Sequence, residues 1–152
     1  MSTSLPIPSG KHVGKPTLYV GLHGPLLVPS ATPHEYLGAG IADYARPFLA
    51  WAKDRFDVQV LTDRSPRGVY LLTDELGLPQ DEVRPRGFEA SKTEVMRPGD
   101  DFYWVDAALI PSEVGWLAQH DQVHRFLAVD PEVGVTPRHR ESLAPALRGR
   151  RG

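Results

Sequence analysis

A chain of 152 residues, with 41% hydrophobic and 24% charged residues, has the length and make-up of one globular domain. A formal net charge of -2 gives no global basic field to draw it to nucleic acid or anionic lipid, and the absence of cysteine excludes disulfides and thiolate metal sites. No run of about 18 apolar residues is present to span a bilayer, so a cytoplasmic protein with neither a membrane nor a nucleic-acid partner is expected.

The first sixteen residues carry Pro6, Pro8 and Pro16 among Ser and Gly, without the apolar stretch of a signal peptide. They read as a flexible leader (1–16) to a domain over 17–147, which a disordered basic tail follows at 148–152. Thr17 to Leu22 is a short apolar run closed by Gly and Pro, the pattern of a strand buried on both faces of a parallel sheet. A Pro- and Gly-rich loop runs from His23 to about Gly40. Tyr44, Phe48, Leu49, Trp51 and Ala52 then repeat at helical spacing as far as Arg55, with Pro47 starting or kinking that helix. Val58 to Leu61 is a second strand, and Ser65-Pro66 starts a helix that ends near Gly77. Residues 79–101 read as polar and irregular, with one helical turn at Lys92 to Met96. Phe102 to Val105 is a third strand, Pro111 to His120 a helix, and Phe126 to Val129 a fourth strand. Thr136-Pro137 caps a last helix to Leu147.

Strands alternating with helices predict a three-layer α/β/α sandwich on a mainly parallel sheet, with right-handed crossovers and no large cap domain. In such sheets ligands bind beyond the carboxyl ends of the strands. The segments that matter are therefore Gly21 to Gly24, Thr62 to Arg64, and Asp106 to Leu109.

Four of these positions fall in a recognisable order. Gly21-Leu22-His23-Gly24-Pro25 follows the first strand, and Val58-Gln59-Val60-Leu61-Thr62 ends the second in a hydroxyl residue. Ser91-Lys92-Thr93 follows a variable insertion, and Tyr103-Trp104-Val105-Asp106-Ala107 ends an apolar strand in an acid. The chain in this respect resembles the haloacid dehalogenase (HAD) superfamily of phosphatases and phosphotransferases over roughly residues 17 to 147. Trp116, Asp130-Pro131, Gly134, Thr136 and His139 are similar to a small, cap-poor branch found in RNA-repair multidomain proteins. The resemblance implies a Rossmannoid fold and, in its active members, an Asp-x-Asp pair. The first Asp is nucleophile and magnesium ligand; the second is general acid and base. Here Gly21 and His23 stand in those two places, and of the carboxylates used by the family only Asp106 is left. Enzymes accelerate phosphate monoester hydrolysis by up to ~10²¹, and orientation and charge do not replace a covalent step on that scale. The aspartyl-phosphate route is absent.

The expectation is a catalytically deficient, pseudophosphatase-like binding or regulatory module. If the chain is an enzyme at all, it is a divergent phosphohydrolase using His23 or water with Asp106. His23 is read either as a polar filler of an aspartate-sized gap beside Thr62 or as an acid–base group, nucleophile or ligand. Thr62 either binds an anion or caps a turn, and Asp63 beside it is a turn residue at the same pocket. Lys92 either neutralises a phosphate or is solvated, and Asp106 is either a buried ion pair with Lys92 or a functional carboxylate. The backbone of Leu22, His23 and Gly24, with Thr62 and Lys92, would form a residual pocket for a small anion or phosphorylated ligand. No cofactor is expected, and Asp106 alone would hold magnesium weakly. His120 and His124 flank a turn and do not form a zinc site. Trp51, Trp104 and Trp116 read as core residues. The oligomeric state is left open.

Overall fold

Strand β1, Thr17–Gly21, is the centre of the molecule because its residues are apolar on both sides. The computed structural model describes residues 14–63 and 65–147, so the leader up to residue 13, Arg64 and the tail from 148 lie outside the described residues. After β1 come a small hairpin of β2 (Leu27–Val28) and β3 (Gly40–Ile41), helix α1 (Ala45–Ala52) and strand β4 (Asp57–Asp63). Helix α2 (Arg67–Leu76), strand β5 (Val83–Phe88), a 3₁₀ turn at Lys92–Val95 and strand β6 (Phe102–Asp106) follow. Helix α3 (Pro111–Gln119), strand β7 (Phe126–Ala128) and helix α4 (Pro137–Leu143) close the fold, the last running into a 3₁₀ turn over Ala144–Leu147.

The main sheet has the order β5-β4-β1-β6-β7 and is parallel throughout. Alternation of side chains along each strand sorts the core into two layers. Leu18, Val20, Val58, Val60 and Val105 pack on one face with Phe48, Leu49 and Ala52 of α1, Val69 and Leu72 of α2, and Leu143 of α4. Tyr19, Leu61, Phe102 and Trp104 pack on the other with Leu117 of α3 and Met96. The fold is a three-layer α/β/α sandwich of the small Rossmannoid type, with no large cap. No described helix is long and apolar enough to cross a membrane.

Two elements differ from the sequence reading. Residues 83–88, expected to be irregular, form edge strand β5; Arg84, Pro85, Arg86 and Gly87 hide it because an edge strand tolerates Pro and charge that an inner strand excludes. The loop expected from His23 to Gly40 holds the β2–β3 hairpin, pinned to the core by bonds from Ala42 N–H to Leu26 O (2.8 Å) and Val135 N–H to Pro25 O (2.8 Å). Elsewhere the expected boundaries shift by a residue or two, except that α1 ends at Ala52, three residues before Arg55, and α4 gives way at Leu143 to the 3₁₀ turn that reaches Leu147. Pro47 falls in the first turn of α1, where its missing N–H costs nothing.

The chain leaves β1 toward β4 on one side and later returns to β6 on the other. The crevice between the carboxyl ends of β1 and β6 is therefore the topological switch point of the sheet.

Helix α3 ends in a Schellman-type turn, with Gln122 N–H bonded to Leu117 O (2.7 Å) and Asp121 N–H to Ala118 O (3.2 Å). Asp121 adopts φ 57°, a left-handed conformation that disfavours a Cβ. Asp121→Gly is expected to raise stability by about 0.5–1 kcal/mol, measured as a higher urea midpoint at unchanged slope. A lower midpoint would contradict this account of the turn.

Candidate functional site

Gly21 closes β1 at the switch point, and its missing side chain is what shapes the site. A Cβ built on Gly21 would collide with the carboxylate of Asp106, the last residue of β6. The Asp106 side chain thus occupies the space that a residue at 21 would otherwise fill. It is only 1% exposed, and its charge is matched by Lys92, whose Nζ donates to Oδ2 at 2.7 Å. Trp104 Nε1–H donates to the same oxygen at 3.1 Å, and Ala107 N–H donates to Oδ1 at 2.8 Å. A buried carboxylate is tolerated only with partners of this kind.

Lys92 is held from its backbone as well as its side chain. Its N–H donates to Oε2 of Glu113 at 2.8 Å, and the other oxygen of Glu113 accepts Ile110 N–H at 3.0 Å. Glu113 is 3% exposed, so one buried carboxylate clamps the lysine turn to the start of α3. Ser91 opens that turn with a capping box. Its hydroxyl accepts Thr93 N–H, while the Glu94 carboxylate reaches back to the N–H groups of Glu89, Ala90 and Ser91. Those backbone donors, Glu89 first, hold the Glu94 carboxyl below its ordinary value of 4.5.

The expected site residues do converge, in a particular arrangement. His23, Lys92 and Asp106 line a cleft of about 440 Å³ together with Gly24, and His23 and Lys92 also line a second one of about 290 Å³ with Leu22, Thr62 and Asp63. His23 is exposed and forms no side-chain hydrogen bond among the described residues, so it stands at the rim between the two clefts and does not fill a buried gap. Asp106, not His23, occupies the vacated volume.

Thr62 is buried, and its hydroxyl donates to Ser65 O at 2.7 Å, the contact of a turn cap. Asp63 ends β4 at the mouth of the smaller cleft. The backbone of the first turn differs from the expected anion cradle. Leu22 N–H donates to Leu61 O (3.3 Å) and Gly24 N–H to Leu27 O (2.8 Å), so both are consumed within the fold. Gly24 holds φ 107° with its α-carbon against Ala107, a position that a side chain cannot enter. The cationic and polar side chains, not a backbone nest, are what the site offers an anion.

The donor set does not suit magnesium. Gly21 supplies no ligand, both oxygens of Asp106 already accept hydrogen bonds, and the Lys92 ammonium lies on the carboxylate where a cation would sit. Among the described residues no cluster of three His, Asp or Glu side chains could hold a metal. His120 caps α3 and packs tilted against Trp116, and His124 lies in a separate 3₁₀ turn.

Sequence reading missed Glu113 and Glu94. The spacing Ser91-x-x-Glu94 is a capping-box signature and was legible in principle. The link from Glu113 to the Lys92 amide spans 21 positions and has no local signal. Comparison of the chain with protein-family models and with curated proteins finds no match to either.

Restoring a carboxylate at the end of β1 should fail. Gly21→Asp forces a side chain into the Asp106 carboxylate and sets two negative charges together, so a loss of at least about 3 kcal/mol is expected from overpacking and unpaired burial. Chemical denaturation measures this; a variant as stable as the parent would show that Asp106 moves aside freely. Glu94 gives a pH signature. Its lowered folded value means that its contribution is present above the ordinary 4.5 and is lost as the pH falls through the lower folded value. Glu94→Gln should be less stable at neutral pH and lose less stability than the parent on acidification below about pH 4.5, as followed by urea unfolding across that range.

Proposed function

We propose that this chain is a catalytically deficient HAD-like protein, a pseudophosphatase that binds small anions or phosphorylated ligands as a regulatory or interaction module. The observation that carries this reading is the Asp106 carboxylate lying in the space of the missing Gly21 side chain, with Lys92 on it. A nucleophile carboxylate has no room there, and the one acid left is already neutralised.

The strand order supports the resemblance on which the reading rests. All four motif positions lie at carboxyl ends of parallel strands or beside them: Gly21 on β1, Thr62 on β4, Asp106 on β6, and Lys92 reaching Asp106 from the turn after β5. The ammonium of Lys92 has three N–H donors, of which one is given to Asp106. Lys92 lines both clefts together with His23, whose imidazole has no hydrogen-bond partner among the described residues, and the two suit an oxyanion without any nucleophile. Among the described residues none is hydrogen-bonded to the His23 ring to orient it, which argues against the divergent hydrolase that would use it as base.

Phosphate release from p-nitrophenyl phosphate, with and without magnesium, tests the reading. The expected result is no turnover above buffer, together with millimolar phosphate binding seen as shifts of the His23 and Lys92 resonances. Turnover that disappears in His23→Ala would instead establish the divergent phosphohydrolase.

A further inference from the structure

The larger of the two clefts is built for something other than an inorganic ion. Beyond His23, Lys92 and the Asp106 carboxylate that Lys92 pairs, its walls are apolar, formed by Leu27 and Val28 of β2, Ala39 before β3, and Pro131 after β7. Neither Thr62 nor Asp63 reaches it; both belong to the smaller cleft. Polarity is thus gathered where His23 and the Lys92–Asp106 pair stand, and the other named walls are hydrocarbon. An inorganic anion would leave that surface wet, whereas a ligand with an apolar body would dry it.

The walls are also fixed in advance. Strand β2 carries Leu27, which is 3% exposed, and the hairpin is tied down by Ala42 N–H to Leu26 O and Val135 N–H to Pro25 O. Gly134, at φ 85°, lets that second tie form, since a Cβ there would meet Pro25 O at 2.8 Å. A preformed apolar wall needs no ordering when a ligand arrives, so burial of the ligand's apolar area is retained as affinity.

We infer that the ligand of this site is a small organic oxyanion with a compact apolar body, its charged head on Lys92 and His23 and its body against Leu27, Val28, Ala39 and Pro131. This inference rests on the anion-binding reading above and adds the ligand class. The head can be a phosphate or a carboxylate, since an ammonium and an imidazole serve both.

The test measures binding of paired probes to the full chain by calorimetry. The pairs are phenyl phosphate against inorganic phosphate, and phenylacetate against acetate. A phenyl probe is expected to bind at least about ten-fold more tightly than its partner, which needs only roughly 55 Å² of apolar burial at ~25 cal/mol per Å². An advantage in one pair alone supports the inference and identifies the head group. Ala39→Gln and, independently, the exposed Pro131→Gln, which add polarity without charge, should each abolish the advantage while binding of the simple ion stays within about two-fold. Simple ions that bind with no advantage for either phenyl probe would overturn this inference and leave the anion-binding reading standing. Failure of all four probes to bind would overturn both.

Discussion

A buried carboxylate without a counter-charge is among the most expensive things a protein core can hold, and Asp106 would be such a group if Lys92 did not reach it. Everything around the switch point answers to it. Lys92 must reach it, so the turn after β5 is clamped to α3 by Glu113 and capped by Glu94. Trp104 lies two residues earlier on the same face of β6 and turns its indole N–H toward it. Gly21 leaves the room it occupies. The four groups form one unit drawn from β1, β6 and the 92–95 turn, and none of them is explained without the carboxylate.

This unit also explains why the end of the sheet is open but chemically quiet. At a switch point the strands diverge and expose their last residues, which is where α/β proteins usually place reactive groups. Here the acid and the cation at that point are paired with each other, the hydroxyl of Thr62 closes a turn, and the Leu22 and Gly24 amides are bonded within the fold. His23 remains as an exposed ring on the rim between two clefts.

The β2–β3 hairpin gives the site its asymmetry. It follows β1 directly and lays Leu27 and Val28 along one side of the crevice, while the other cleft is walled by the ends of β4 and β5. One rim residue and one lysine are shared between an apolar and a polar compartment. That division comes from which element supplies each wall, since a hairpin packed on a core presents apolar side chains and strand ends present turns.

The sequence by itself determined the sheet and most of its helices, because apolar runs such as Leu18 to Leu22 and cap-plus-proline pairs such as Thr136-Pro137 are local signals of local structure. It also marked Gly21, His23, Thr62 and Asp106 as positions near one another, since strand ends in an alternating pattern must converge, while Lys92 was singled out by the family resemblance alone. It did not reveal strand β5, whose Arg and Pro suit an edge and look like a loop, nor the hairpin inside the first long loop. Only the tertiary structure decided which residue fills the gap at Gly21. Local reading offered His23 as filler of an aspartate-sized gap beside Thr62, whereas His23 is exposed and the space at Gly21 is taken by Asp106 from a neighbouring parallel strand, 85 positions on. Register between strands, which brings Val20 beside Val105 and so Gly21 beside Asp106, is a property of the folded sheet. No window of sequence contains it.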